Sequence, residues 1–228
     1  AGDENLLIAQ ARAIAPLEPD VIEWRVDSFA KAESLAEMAE ALRALRKEIG
    51  EIPLIFTCRY IHEGGFREIS QNKRKEIIIE ALKNGEVDIV DFEISNGEEL
   101  VAEIKEEVNK AGAKLILSYH NFQATPEEGF IFNKLLEARD LGADIAKLAV
   151  MPINFRDVLN LLNATLRARE EALDIPLITM AMGEMGKITR IAGGFFGSDL
   201  TFAVGKEASA PGQVPVADLR SVWRVLSF

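Results

Sequence analysis

Short apolar runs alternate along this chain with amphipathic helical patterns, and no long linker interrupts them. That alternation narrows the available folds more than any other feature. The apolar runs are Val21–Asp27, Pro53–Arg59, Val87–Ile94, Lys114–Asn121, Ile145–Met151, Pro176–Met182 and Leu200–Gly205. Each is rich in Val, Ile, Leu or Phe, as strands buried on both faces are. Helical patterns lie between them, for example Leu35–Leu45 and Phe155–Ala172. Thr125-Pro126-Glu127-Glu128 offers an N-cap, an N1 proline and early carboxylates, which predicts a helix start. Strand–helix alternation of this kind predicts an α/β domain with a parallel sheet. The first helical pattern runs roughly from Glu4 to Ala15 and the last lies near Pro215–Leu226. Eight helices against seven strands predict a single (β/α)8 barrel domain over residues 1–228 that lacks an evident first strand. The alternative is an open doubly wound sheet, against which stands the absence of Gly-x-Gly-x-x-Gly after the first strand. A barrel short of one strand exposes two unpaired edges. The expectation is that residues 1–228 alone are poorly soluble or recruit a strand from another copy.

Charge excludes some partners. With 37 acidic and 26 basic residues the formal net charge is -11, which argues against nucleic acid and anionic membrane. An anionic small molecule stays compatible if arginines converge locally. The one cysteine, Cys58, rules out an internal disulfide and a cysteine-based metal site. It lies in an apolar strand and reads as a core thiol. No apolar run approaches the ~18 residues that cross a bilayer. No signal segment opens the sequence, so the expected location is the cytoplasm. No His-x-x-x-His or aspartate cluster has metal-ligand spacing.

Lys147 carries the first chemical signal. It sits in Gly142–Pro152, an otherwise apolar run. Burial disfavours an ammonium and makes an amine nucleophilic enough to form an imine with a carbonyl. The preceding strand ends in His120, one of only two histidines. An amine and an imidazole on successive strands suggest imine chemistry with acid–base help; a lysine paired with an inward carboxylate for structure is the other reading. Further polar residues fall at strand ends, where a barrel builds its active site. Glu23 and Arg25 are spaced by two and share a face, as do Thr57 with Arg59 and Asp91 with Glu93. Met180, Met182, Thr189-Arg190 and Glu207–Gln213 follow at later strand ends and loops. The other histidine, His62, reads as a solvent-facing loop residue. Gly193-Gly194 and Gly197 read as tight turns.

The sequence resembles the type I 3-dehydroquinate dehydratase family along essentially its whole length. The resemblance rests on Glu23–Asp27, Thr57–Arg59, Glu63–Gly65, Asp91–Glu93, Ser118–Asn121, Ala146–Leu148, Met182-Gly183, Thr189-Arg190, Phe196–Ser198 and Ser209–Gln213. It implies a (β/α)8 barrel, a homodimer, no metal and no cofactor. It implies dehydration of 3-dehydroquinate to 3-dehydroshikimate in the shikimate pathway, with Lys147 forming the Schiff base. His120 matches the general acid–base and Glu63 the carboxylate that orients it. Arg190 matches the arginine that grips the substrate carboxylate. Ser209 and Gln213 match lid-loop residues, and Glu23, Arg25 and Arg59 match groups that hold the ring hydroxyls and order the site. Position 189 is threonine where the family usually has serine, and the family's first strand has no counterpart here. Two rival functions are a class I Schiff-base aldolase and an inactive, binding-only relative. An aldolase acting on sugar phosphates needs a phosphate cradle, whereas Arg190 and Ser209–Gln213 suit a carboxylate.

Overall fold

The computed structural model describes residues 2–83, 85–205 and 210–226. These divide into two compact units, residues 1–117 and 118–228.

The first unit holds helix α1 (Glu4–Ile14), strand β1 (Ile22–Arg25), α2 (Leu35–Ile49), β2 (Leu54–Thr57), α3 (Gln71–Lys83), β3 (Ile89–Glu93), α4 (Glu98–Ala111) and the start of β4 (Lys114–Asn121). β1 pairs in parallel with β2 and β2 with β3, in the registers Arg25 to Thr57 and Thr57 to Asp91. The polar residues singled out in the sequence therefore lie side by side at the C-terminal strand ends. α2 shows how the helices attach. Met38, Leu42, Leu45 and Ile49 recur at spacings of four, three and four on its buried face, each removal from water worth ~1.5–3 kcal/mol. Beneath them Trp24 meets Phe29 and Phe56 edge-on, with ring centroids 5.8 and 5.6 Å away.

The second unit holds the end of β4, α5 (Glu128–Asp140), β5 (Ile145–Val150), α6 (Phe155–Glu171), β6 (Leu177–Ala181), α7 (Gly183–Ala192) and α8 (Val216–Leu226). β5 and β6 are parallel, with Lys147 beside Ile178. α6 opens on a capping box, Asn154 accepting from Asp157 N–H while Asp157 accepts from the Asn154 backbone. Asn121 O accepts from Met151 N–H at 2.9 Å, which sets the end of β4 against the end of β5.

One fastening occurs in both units. Near the C-terminus of α2, Arg46 donates to the carbonyls of Gly50, Ile52 and Glu86 and to Asp88 Oδ2. The same Asp88 oxygen accepts from Leu54 N–H, the first amide of β2, at 2.8 Å. Near the C-terminus of α6, Arg169 donates to the carbonyls of Leu173, Ile175 and Gly197 and to Asp199 Oδ2. That oxygen accepts from Leu177 N–H, the first amide of β6, at 2.7 Å.

Two expectations need correction. Six strands, not seven, occur among the described residues: Leu200–Gly205 forms no strand, and only Val204 makes an isolated bridge, to Pro215. The reason lies along β6. Its amides at 177, 179 and 181 donate to side-chain oxygens of Asp199, Ser198 and Thr189, at 2.7, 3.0 and 2.9 Å. Those donors are the ones a further parallel strand needs, and one backbone rung, Asp199 N–H to Leu177 O, remains. Helix α5 begins at Glu128 with Glu127 as N-cap, rather than at Thr125-Pro126; the Thr125 hydroxyl is buried without a partner. The eight helical patterns correspond to α1–α8.

Candidate active site

In the first unit the site residues are held by a buried ionic lattice. Thr57 Oγ1 donates to Glu23 Oε1 at 2.8 Å. Arg59 follows β2 with 3% of its surface exposed. Its two terminal nitrogens meet Asp91 at 2.8 Å and Glu93 at 2.9 Å. Burial works against the Arg59 cation, but Asp91 and Glu93 outweigh it and raise its pKa. Glu93 accepts from Arg59 and Tyr60 N–H on one oxygen, and from Arg74 and Asn96 on the other. Burial pushes Glu93 upward, yet Arg59, Arg74 and the Tyr60 amide together hold it below the usual carboxylate range.

A second centre is Asp27, fully buried. Arg25 grips it through two nitrogens at 2.9 and 2.8 Å. The amides of Arg59 and Phe66 donate to it at 3.2 and 2.9 Å. Arg25 also donates to Gly64 O at 2.8 Å, and Arg67 donates to the carbonyls of Asp27 and Ala30. The loop bearing Glu63 is thereby fixed at both ends. Glu63 is buried and accepts from Ser95 Oγ. Gly65 has no substitute here, because a Cβ on it would stand 2.6 Å from Arg59 O. Burial raises Asp27, but Arg25 and the two amides more than compensate and its pKa is lowered.

In the second unit His120 is half-buried near the end of β4. Its ring stacks at 6.5 Å and 21° with Phe122. Lys147 is 5% exposed, and its Nζ lies 4.2 Å from the centre of the Phe202 ring. Arg190 is buried to 1% exposure on α7. Every acceptor it meets among the described residues is uncharged: Met180 Sδ at 3.3 Å, Phe202 O at 3.2 Å and Pro211 O at 3.3 Å. Its Nε has no partner among the described residues. Burial pushes its pKa down to about 10. Thr189 Oγ1 accepts from Ala181 N–H and donates to Gly186 O, so a threonine hydroxyl serves at this position. Pro211 O also accepts from Gly183 N–H at 3.2 Å. Gly212 has φ +76°, and a Cβ there would meet Gly183 O at 2.3 Å, so the stretch before half-buried Gln213 sits tightly on the start of α7. Ser209 lies outside the described residues.

The first unit thus joins Arg25 and the Arg59 amide on Asp27 and holds Glu23 through Thr57 and Glu63 through Ser95, and the second sets Lys147 and Arg190 against one residue, Phe202. Cys58 is a core thiol, pushed up to about 12 by burial. His62 is exposed beside Tyr60, and Gly193–Phe196 is a tight turn. Sequence reasoning missed Arg74 and Phe202. Arg74 shares the buried face of α3 with Ile77, Ile78 and Ala81, so an arginine at helical spacing from apolar residues was an available signal. Phe202 gave none. No group of three or more His, Cys, Asp or Glu able to hold a metal occurs among the described residues.

Comparison with known proteins agrees along the whole chain. The family described as type I 3-dehydroquinase matches residues 1–227. A 3-dehydroquinate dehydratase of Geobacillus sp. (strain WCH70) is 42% identical over 221 residues, covering 96% of this chain and 85% of that protein. One from Klebsiella pneumoniae is 41% identical, covering 97% and 88%. The crystal structure of the type I enzyme from Clostridium difficile with covalently modified comenic acid superposes with a TM-score of 0.96 at 40% identity, covering 99% of this chain and 89% of that one. The chain belongs to the type I 3-dehydroquinase family.

Proposed function

We propose that this protein dehydrates 3-dehydroquinate to 3-dehydroshikimate through an imine on Lys147. The amine attacks the ring ketone, and loss of water gives the imine. The imine draws electrons from the adjacent C–H bond, and His120 takes that proton. The same imidazolium then protonates the departing hydroxyl, so water leaves and a conjugated imine remains. Hydrolysis frees the enone product and restores the amine. Glu63 is the carboxylate assigned to orient the histidine; Glu23, Arg25 and Arg59 are assigned to the ring hydroxyls, and Gln213 and Ser209 to the covering loop.

One observation carries the reading. Phe202 touches both key cations, its ring under the Lys147 amine at 4.2 Å and its carbonyl accepting from Arg190 at 3.2 Å. A carboxylate on Arg190 therefore lies within a residue's breadth of the imine-forming nitrogen. Among the described residues Arg190 has only neutral acceptors around it, and a carboxylate supplies the planar bidentate partner that they do not. This favours a carboxylate-bearing ketone over an aldolase's sugar phosphate. The alternation of helix and strand supports the (β/α)8 class. Exposed Ile153, Phe155 and Leu159 around the start of α6 support a homodimer, and the absence of a spanning helix among the described residues fits a cytoplasmic setting.

Borohydride added with 3-dehydroquinate is expected to fix one ligand on the Lys147 peptide, read by mass spectrometry. An active protein that never labels there defeats the imine route, and a folded protein without turnover defeats the dehydratase reading.

A further inference from the structure

We propose that Arg74 is a positioning residue for substrate recognition: it neutralises Glu93 from the far side, so that Arg59 is shared between Asp91 and Glu93 with its guanidinium held in one plane. The inference rests on the reading of Arg59 as a substrate contact.

Arg74 is enclosed by protein groups. It is 1% exposed and donates to Cys58 O at 2.9 Å, to Asn96 Oδ1 at 2.8 Å and to Glu93 Oε2. Its guanidinium lies 5.3 Å from the Tyr60 ring centre and 5.4 Å from that of Phe92. All of this fixes one orientation. Glu93 gives one oxygen to each arginine, Oε1 to Arg59 and Oε2 to Arg74. Asp91 takes the remaining terminal nitrogen of Arg59. Two cations thus balance two anions.

Without Arg74 the cluster carries one net negative charge in a buried place. Such a charge is costly, and two outcomes relieve it. Glu93 takes up a proton, or it draws Arg59 toward itself and away from Asp91. Either one changes how Arg59 presents itself to a ring hydroxyl. Around Glu93 the ionisable groups among the described residues are Arg59, Cys58 and Tyr60 after β2, Arg74 on α3 and Asp91 on β3. Glu23 on β1 acts on Arg59. The buried residues of α4 are Val101, Ile104 and Val108, none of which titrates.

The test compares Arg74→Met, Arg74→Lys and the charge-balanced pair Arg74→Met with Glu93→Gln in steady-state dehydration of 3-dehydroquinate across pH. In Arg74→Met, KM is expected to rise about tenfold, the size found when one member of a coupled network is withdrawn, while kcat changes less than about threefold. KM also gains an ionisation that the wild type lacks, because Glu93 has lost a partner that held it down. Arg74→Lys lies between, and the double variant keeps a raised KM but loses the new ionisation. A folded Arg74→Met with wild-type KM and pH profile overturns the proposal, as does a fall in kcat at constant KM. If Arg74→Met does not fold, the double variant decides, and a wild-type KM there overturns the proposal. If the wild type shows no turnover, the dehydratase reading falls on its own. Titration of the Glu93 carboxyl by carbon NMR then decides: upward movement in Arg74→Met sustains the proposal and an unmoved titration overturns it.

Discussion

Replacing Arg190 by methionine is expected to make the ligand-free protein more stable and unable to bind its substrate. The guanidinium is 1% exposed and has no carboxylate among its described partners. Burial alone brings its pKa well below the ordinary arginine value, to about 10. That difference corresponds to about 3 kcal/mol against the charged form in the folded state. For a base whose folded pKa is depressed, the penalty is complete below the folded value and fades as pH rises toward the unfolded one. At pH 7 it is therefore present in full. Methionine keeps the linear stem and drops the charge. The three bonds to Met180, Phe202 and Pro211 are lost; being long, each counts at the low end of the ~0.5–1.5 kcal/mol of an ordinary hydrogen bond, so together they offset about 1.5 kcal/mol of the gain. The net is about 1–2 kcal/mol of added stability, or roughly 2–8 °C in Tm for a chain of this size. Thermal unfolding with and without 3-dehydroshikimate measures both halves. At a hundredfold excess over Kd the wild type gains about 2.7 kcal/mol from the ligand, and the variant gains nothing at that concentration. An Arg190→Met protein that melts below the wild type would refute the argument, because Arg190 would then be a structural group with sufficient partners of its own.

Three further outcomes follow from the site. His120→Ala should lower turnover at least about a hundredfold while the Lys147 adduct remains trappable; near-normal turnover would move the acid–base role to another group. Asp27→Asn should cost ~3–5 kcal/mol, the range for removing one partner of a buried pair. Asp27 has a lowered pKa, so the wild type should lose its contribution as pH falls from its unfolded value through the folded one. Urea unfolding of the variant should be flatter over that acid range, and an unchanged acid profile would count against Asp27 as the loop's anchor. Thr189→Val leaves the Ala181 amide of β6 without its acceptor and should destabilise by ~1–3 kcal/mol. Thr189→Ser should sit close to the wild type by the same melt, and equal losses in both would show that the methyl, not the hydroxyl, matters.

Much of the fold was legible because strand and helix leave different periods. β4 runs from Lys114 to Asn121 as expected, β5 starts at its expected Ile145, and every other strand limit falls one or two residues inside the expected one. The segment at Leu200–Gly205 failed because its apolar composition says nothing about who supplies hydrogen bonds. Ser198, Asp199 and Thr189 take the relevant amides of β6, a competition invisible to hydrophobic pattern. The start of α5 slipped for a similar reason, since Thr125-Pro126 suits a helix start but the chain delays it to Glu128. Lys147 was legible as a buried charge because a lysine in an apolar stretch stands out, whereas Arg190, read as a loop residue after the sixth strand, lies buried on α7. Arg74 was masked by its neighbours, Lys73 and Lys75, which pair with exposed Glu76 and Glu103. In a run of alternating basic residues, only helical phase separates the buried arginine from the solvated lysines.

The paired fastenings Arg46–Asp88 and Arg169–Asp199 lie at the N-terminal ends of β2 and β6, and Thr57 and Ala181 close the other ends. Their consequence is one of parity. Along a strand, a shift of one residue exchanges the two faces completely, and the interior offers no intermediate setting. Asp88 fixes where β2 begins by holding the Leu54 amide. It thereby decides that Thr57, three residues on, meets Glu23. Asp199 does the same for β6, and so for Met180, which borders Arg190. A half-exposed aspartate at the foot of a strand therefore acts as the origin from which the positions of groups at its tip are counted. A variant search confined to residues near the substrate would overlook both.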